Sequence, residues 1–159
     1  MAEPFIEALR EAVQEIAESM LFVEVEQKDC RHDKSPMTVD ISAILGYSEN
    51  LRGSFALSAP TDGAISLASA LLGEPREELD GELQDAYSEM ANMLAGGVQS
   101  RMEAQFGAIK MSTPMLIQGH GHQVGSEASF QCVSHDFSLD GKAFCVHIFY
   151  HPDELEKLA

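Results

Sequence analysis

The stretch 79-LDGELQDAYSEMANMLAGGVQSRMEAQFG-107 holds the longest helical pattern in the chain, and the rest is read outward from it. At about 100° of rotation per residue, Leu83, Tyr87, Met90, Leu94, Val98 and Arg101 fall within about 80° of one another. Asp85, Glu89, Asn92, Gly96 and Glu103 fall on the opposite side, within a stripe about 60° wide. One face suits burial. The other offers water acids, an amide and a bare glycine. A glycine in mid-helix costs about 1 kcal/mol against alanine, a cost that fits a place where another molecule must come close.

The composition bounds what surrounds this helix. The chain has 159 residues and reads as one domain, 1–159, large enough to bury a core without disulfides or metals. Its formal charge of −16 argues against nucleic acid and against an anionic membrane surface as partner. No apolar run has the length of a membrane span, and the amino terminus MAEPFIEALREA is acidic and amphipathic rather than a secretory signal. Cys30, Cys132 and Cys145 lack framework spacing, so reduced thiols and a cytoplasmic setting are expected.

Taken in order, Pro4 to about Met20 predicts an amphipathic helix with Phe5, Leu9, Val13, Ile16 and Met20 inward. Leu21–Glu26 alternates apolar and polar and predicts a strand, followed by a polar loop from Gln27 to Pro36. Met37–Leu45 and Gly53–Leu57 predict two strands around a hairpin at Gly46–Asn50. Thr61 or Asp62 is expected to cap a short helix from Gly63 to Leu72, which Gly73 and Pro75 end. After the long helix, strands are expected near Ala108–Met111, Met115–Gln118, Ala128–Phe137 and Lys142–Tyr150. Asp140-Gly141 gives the hairpin signal between the last two, and the tail from Asp153 is read as a frayed turn. The pairs Cys30/His32, His120/His122, Cys132/His135 and Cys145/His147 lack second ligand pairs at metal spacing, so no metal site is assigned.

The spacing Asp85-x3-Glu89-x2-Asn92, followed by Ala-Gly-Gly and then by Pro114, resembles the signature of the CheC/CheX family of chemotaxis phosphatases. That signature is an Asp or Ser, then Glu, then Asn on one helix face, with a Pro some twenty residues on; here 21 residues separate Asn92 from Pro114. The order of elements on either side fits as well. The resemblance implies an α/β, two-layer, pseudo-two-fold sandwich with helices on one face of a largely antiparallel sheet. Double-site members carry a second Glu-x-x-Asn on the first helix. Glu11-Ala-Val-Gln14 and Glu15-Ile-Ala-Glu18 lack the Asn, so one active site per chain is expected, as in the CheX type.

The stripe itself contains no nucleophile, no His and no metal cluster, so it cannot hydrolyse anything alone; it could complete a site that another molecule brings. The resemblance implies that molecule: a phosphorylated CheY-like response regulator, whose own Mg²⁺ and Lys already neutralise the phosphoryl group. No cofactor of the chain's own is implied. Asn92 is then expected to orient the attacking water and Glu89 to pair with the regulator's Lys. Asp85 is expected to add an edge contact, Gly96 to admit the partner's backbone, and Pro114 to be structural. A homodimer through sheet edges is expected too, since the strands show few blocking prolines or lysines. Two other readings stand beside this one. In the first, the same fold is a CheX-like module that binds a regulator without hydrolysis. In the second, it is an adaptor in which the long helix is covered.

Overall fold

The computed structural model describes residues 2–31, 38–124 and 129–158. Seven strands form one sheet: β1 (Glu26–Arg31), β2 (Val39–Glu49), β3 (Gly53–Ala59), β4 (Ile109–Met111), β5 (Met115–His122), β6 (Gln131–Leu139) and β7 (Lys142–Tyr150). Their order is β1-β6-β7-β3-β2-β4, and every pairing is antiparallel. β2 has two partners in succession along its outer side, β5 against Val39–Ile44 and β4 against Tyr47–Glu49. The helices are α1 (Glu3–Ile16), α2 (Thr61–Leu72) and α3 (Gly81–Phe106). A helix followed by three strands, a connecting helix, then a helix followed by four strands gives the expected pseudo-symmetric α/β sandwich.

The core lies between the helices and one face of the sheet. Phe5 and Leu9 of α1, and Leu83, Tyr87, Met90, Leu94 and Val98 of α3, meet Leu45, Phe55, Leu57, Phe137, Val146 and Ile148 from the strands. On the other face Ala56, Cys132 and Phe149 pack with Val124 in a smaller cluster. Because successive strand residues alternate sides, β6 and β7 are buried along nearly their whole length. None of the three cysteines forms a disulfide among the described residues; Cys30 is exposed and the other two are buried. None of the helices is long and apolar enough to cross a membrane, among the described residues.

Several local expectations are corrected. Leu21–Glu26 is not a strand. α1 runs on into a π-helical turn, Ala17–Leu21, which ends with Phe22 in the left-handed region (φ 56°). The inward stripe therefore follows steps of four (Phe5, Leu9, Val13, Ala17, Leu21), and Met20 is left outside. The strand instead lies in what reads as a polar loop. β1 pairs only with β6 and is exposed along its length, so no apolar alternation betrays it. The rest of that loop, with His32, Lys34, Pro36 and Met37, and likewise Ala128, lies outside the described residues.

β2 continues through Gly46 to Glu49, so the turn to β3 falls at residues 50–52 rather than Gly46–Asn50. The cap of α2 comes from neither Thr61 nor Asp62. Asp40 of β2 accepts from the Thr61 backbone N–H (2.9 Å) and hydroxyl (3.1 Å), a free helix donor met by a side chain distant in sequence. Gly63 allows α2 to lie against β7, for a Cβ there would sit 1.8 Å from the Ala143 carbonyl oxygen. The His120-Gly-His122 segment ends β5 rather than forming a loop, with the His122 ring bonded to Ser42 (2.8 Å). The tail is an ordered 3-10 helix, Pro152–Leu158, held by buried Glu154 through ion pairs to Arg52 and Lys157.

Candidate functional site

α3 is placed by both its ends and its middle. Asp80 caps the start by accepting from the Leu83 N–H (2.9 Å). Two buried tyrosines bind helix to sheet: Tyr87 Oη donates to the Leu57 carbonyl (2.8 Å), and Tyr47 Oη donates to the Ala95 carbonyl (2.7 Å). Near the end, Glu103 accepts from the Ile109 N–H (3.0 Å) and fixes the exit into β4. Burial pushes the phenols of both tyrosines well up from their usual value near 10. Both are therefore neutral donors at neutral pH.

The stripe arithmetic holds for the apolar face. Leu83, Tyr87, Met90, Leu94 and Val98 are all at most 2% exposed. Arg101, assigned to the same face, is only half-buried. It ion-pairs with Glu11 and Glu15 of α1 and donates to the Gly97 carbonyl (3.0 Å). On the opposite face Asp85 and Glu89 are exposed and Asn92 is half-buried, a little more sheltered than expected. Among the described residues none of the three side chains has a hydrogen-bond or ion-pair partner. Gly96 completes the stripe, and a Cβ built there would meet nothing within 4 Å. Its neighbour Gly97 differs, because a Cβ there would come 3.2 Å from the Ala12 Cβ at the α1 crossing. Gly97 serves packing against α1; at Gly96 no described residue requires the missing Cβ.

The other acids nearby are occupied. Arg76 binds Glu74, Asp80 and Glu82 at the approach to α3, and Arg101 binds Glu11 and Glu15. The first helix thus has neither the Asn nor an unpaired Glu11 or Glu15 on that turn. The uncompensated carboxylates of α3 in this region are Asp85 and Glu89, one turn apart and flanking the approach to Asn92. Pro114 stands between β4 and β5, immediately before Met115, where its fixed φ suits the entry into a strand. Among the described residues no group of three or more His, Cys, Asp or Glu side chains is placed to hold a metal ion.

The arrangement can position and polarise, but it supplies no nucleophile. The two buried cysteines lie in the sheet, where burial raises the Cys145 thiol well above its usual value. His147, also buried, is held neutral down to a value of about 4 by burial and, secondarily, by the Arg31 charge. It bonds the Ser134 hydroxyl (2.7 Å) as part of the sheet, away from α3. The sequence reading missed the π turn at the end of α1, whose signal was hidden by the alternation of LFVEVE.

Fold and stripe together define an α/β sandwich that displays an unpartnered acid–amide row on its central helix. The chain belongs to the chemotaxis phosphatase CheX family, whose model matches residues 41–138. Among solved structures it is similar to the chemotaxis protein CheX from Vibrio vulnificus (22% identity, 91% of this chain and 98% of that one, TM-score 0.80). It is similar as well to a CheC-like superfamily protein from Shewanella sp. PV-4 (21%, 95% and 99%, TM-score 0.83). A third is the CheX–CheY–BeF3–Mg²⁺ complex from Borrelia burgdorferi (24%, 92% and 97%, TM-score 0.78). At these identities the likeness establishes the fold. No curated protein matches the chain.

Proposed function

We propose that the chain is a phosphatase for the aspartyl phosphate of a CheY-like response regulator, with Glu89 and Asn92 as its working residues. The observation that carries this is the pair itself: a carboxylate and an amide one turn apart, exposed and half-buried respectively, neither with a side-chain partner among the described residues. Family membership and the Borrelia burgdorferi CheX–CheY–BeF3–Mg²⁺ complex support it.

The reaction asks little of such a catalyst. Water adds to phosphorus as the bond to the regulator's Asp oxygen breaks, giving inorganic phosphate and a free carboxylate. That leaving group is a weak base, with a pKa of about 4, and needs no general acid. The transition state is loose, so catalysis is largely positioning and charge stabilisation. Asn92 both donates and accepts, so it can hold a water in line with phosphorus. Glu89 pairs with the regulator's Lys and sets the register, Asp85 adds a polar edge contact, and open space at Gly96 admits the partner's backbone. Mg²⁺ comes with the regulator. Pro114 supports the strand behind the helix.

We read the whole chain as one such domain with one site, because α1 lacks the Glu-x-x-Asn pair and Arg101 already holds its Glu11 and Glu15. Two copies pair through a sheet edge. β1 carries Glu26, Lys28, Asp29 and Arg31, charges that blunt an edge. β5 instead exposes Met115 (62%) and Ile117 (36%) beside its unpaired side. The test of the function is the decay of phosphorylated receiver domains from the same cell with and without the protein. Faster release of inorganic phosphate from at least one is expected. Unaltered decay of all of them, with binding intact, would leave the fold as a docking module.

A further inference from the structure

Five large apolar side chains are exposed among the described residues: Met20, Phe22, Leu72, Met115 and Ile117. The last two belong to the β5 edge. The other three are chain neighbours of Leu21 and Gly73, which with Val23, Ile65, Ala70 and Leu139 line a groove of about 430 Å³ between the π turn and α2. Phe22 is the extreme case, 81% exposed and left-handed at φ 56°. A bulky residue in that backbone region is an outlier held at a cost in stability. Nothing inside the chain is gained from a phenyl ring in water.

The position of the turn follows from the helix pairing. Phe5 stacks on Phe106 (5.8 Å), Arg101 holds Glu11, and Gly97 faces Ala12, so α1 and α3 run antiparallel side by side. Nine residues on from Ala12 comes Leu21, and nine back from Gly97 comes Ser88, each run about 13 Å at about 1.5 Å per residue. The π turn therefore lies towards the end of α3 that carries Ser88 and Glu89, with α2 packed beside it. A standard interface covers about 800 Å² on each partner, a patch roughly 32 Å across. A patch of that width centred on Glu89 and Asn92 is wide enough to take in the end of α1.

Charge decides which molecule. Glu18, Glu24 and Glu26 line the shallow surface beside Val23 and Val25, and the chain as a whole carries −16. A second copy would set carboxylates against carboxylates; a partner with an apolar side chain flanked by lysines fits. We propose that Phe22, with Met20, is the apolar anchor of the surface whose polar part is Glu89 and Asn92, and that its occupant is the phosphorylated response regulator. This rests on the phosphatase reading above.

Phe22→Asn tests it. Asparagine accepts the left-handed backbone more readily than phenylalanine, so the variant keeps the fold, with a thermal midpoint at or above that of the wild type. With a receiver domain whose decay the wild type accelerates, the expected result is a KM raised about tenfold or more at unchanged kcat, as for loss of an aromatic interface anchor. Met115→Ser on the β5 edge leaves KM as it was. Binding of the same receiver domain loaded with beryllofluoride and Mg²⁺ separates the two claims. If the wild type binds without hydrolysing, the phosphatase reading falls, and weaker binding by Phe22→Asn still supports the anchor. A Phe22→Asn protein that binds as tightly as the wild type, or with unchanged KM, overturns the anchor.

Discussion

The Tyr47 hydroxyl donates to the Ala95 carbonyl at 2.7 Å, joining β2 to the turn of α3 that also carries Asn92 and Gly96. The bond is buried, and it fixes the height of the stripe above the sheet from beneath. A site that works by positioning needs such a support, because misplacement by about 1 Å can cost a hundredfold in rate. Tyr47→Phe keeps the ring and removes the bond. Its expected cost is about 1 kcal/mol of stability, the net worth of a typical intramolecular hydrogen bond. Urea unfolding measures it, and a midpoint identical to wild type contradicts the supporting role.

Gly96 and Gly97 should part company. At Gly96 an alanine meets open space, so Gly96→Ala removes a helix penalty and stabilises the protein by about 0.5–1 kcal/mol. The same methyl group stands where the partner approaches, so regulator binding weakens as stability rises. Gly97→Ala presses on Ala12 and lacks that gain. Thermal melts and binding titrations on both variants check this, and a Gly96→Ala protein that binds normally contradicts the role of Gly96.

Stability should fall at both ends of the pH scale for identifiable reasons. The folded-state value of His147 is depressed from about 6.5 to about 4 by burial. Between those values the unfolded chain binds more protons than the folded one, so stability is full above about 6.5 and declines as pH falls towards 4. At the alkaline end Tyr47, Tyr87 and Tyr150 are all raised by burial. The unfolded chain loses those protons first, from about pH 10, and stability declines as pH rises further. Near-ultraviolet absorbance of phenolate from Tyr47 and Tyr87 should therefore appear only together with loss of helix circular dichroism. Tyrosine ionisation at Tyr47 or Tyr87 in a still-folded protein contradicts the burial.

The parts legible in the sequence were those where one local rule decides. Asp140-Gly141 demanded a tight turn, and both residues take positive φ (53° and 74°) between paired strands. The alternation of apolar and polar faces along α3 survived because its two sides meet different media, core and water. β1 was illegible because both its faces are wet, so no period marks it. LFVEVE misled because Val23 and Val25 are apolar for packing beside a turn, not for a ladder. The Asp40 cap joins residues 21 apart, and no local pattern announces it. Of the site, the residue types and spacing could be read. That Arg76 and Arg101 silence the neighbouring acids and leave Glu89 unpaired could not.

Sedimentation tests the edge pairing. β5 presents Met115 and Ile117, so replacing both by lysine should convert a dimer into monomers at tens of micromolar, about the range in which such interfaces persist. A wild type that is monomeric there, or a doubly substituted protein that remains dimeric, removes β5 from the account.

The most direct test is single-turnover dephosphorylation of a phosphorylated receiver domain at saturating protein, comparing Asn92→Ala with wild type. The side chain is half-buried and makes no hydrogen bond among the described residues, so the variant should fold with stability within about 0.5 kcal/mol of wild type. Docking should change little, because the amide acts mainly in the transition state. The account predicts a rate lower by about 10²–10³, the usual loss of one well-placed polar group. Glu89→Ala should instead show its loss chiefly in binding, where an ion pair is missing in the ground state too. A saturated rate for Asn92→Ala equal to that of the wild type would contradict the account.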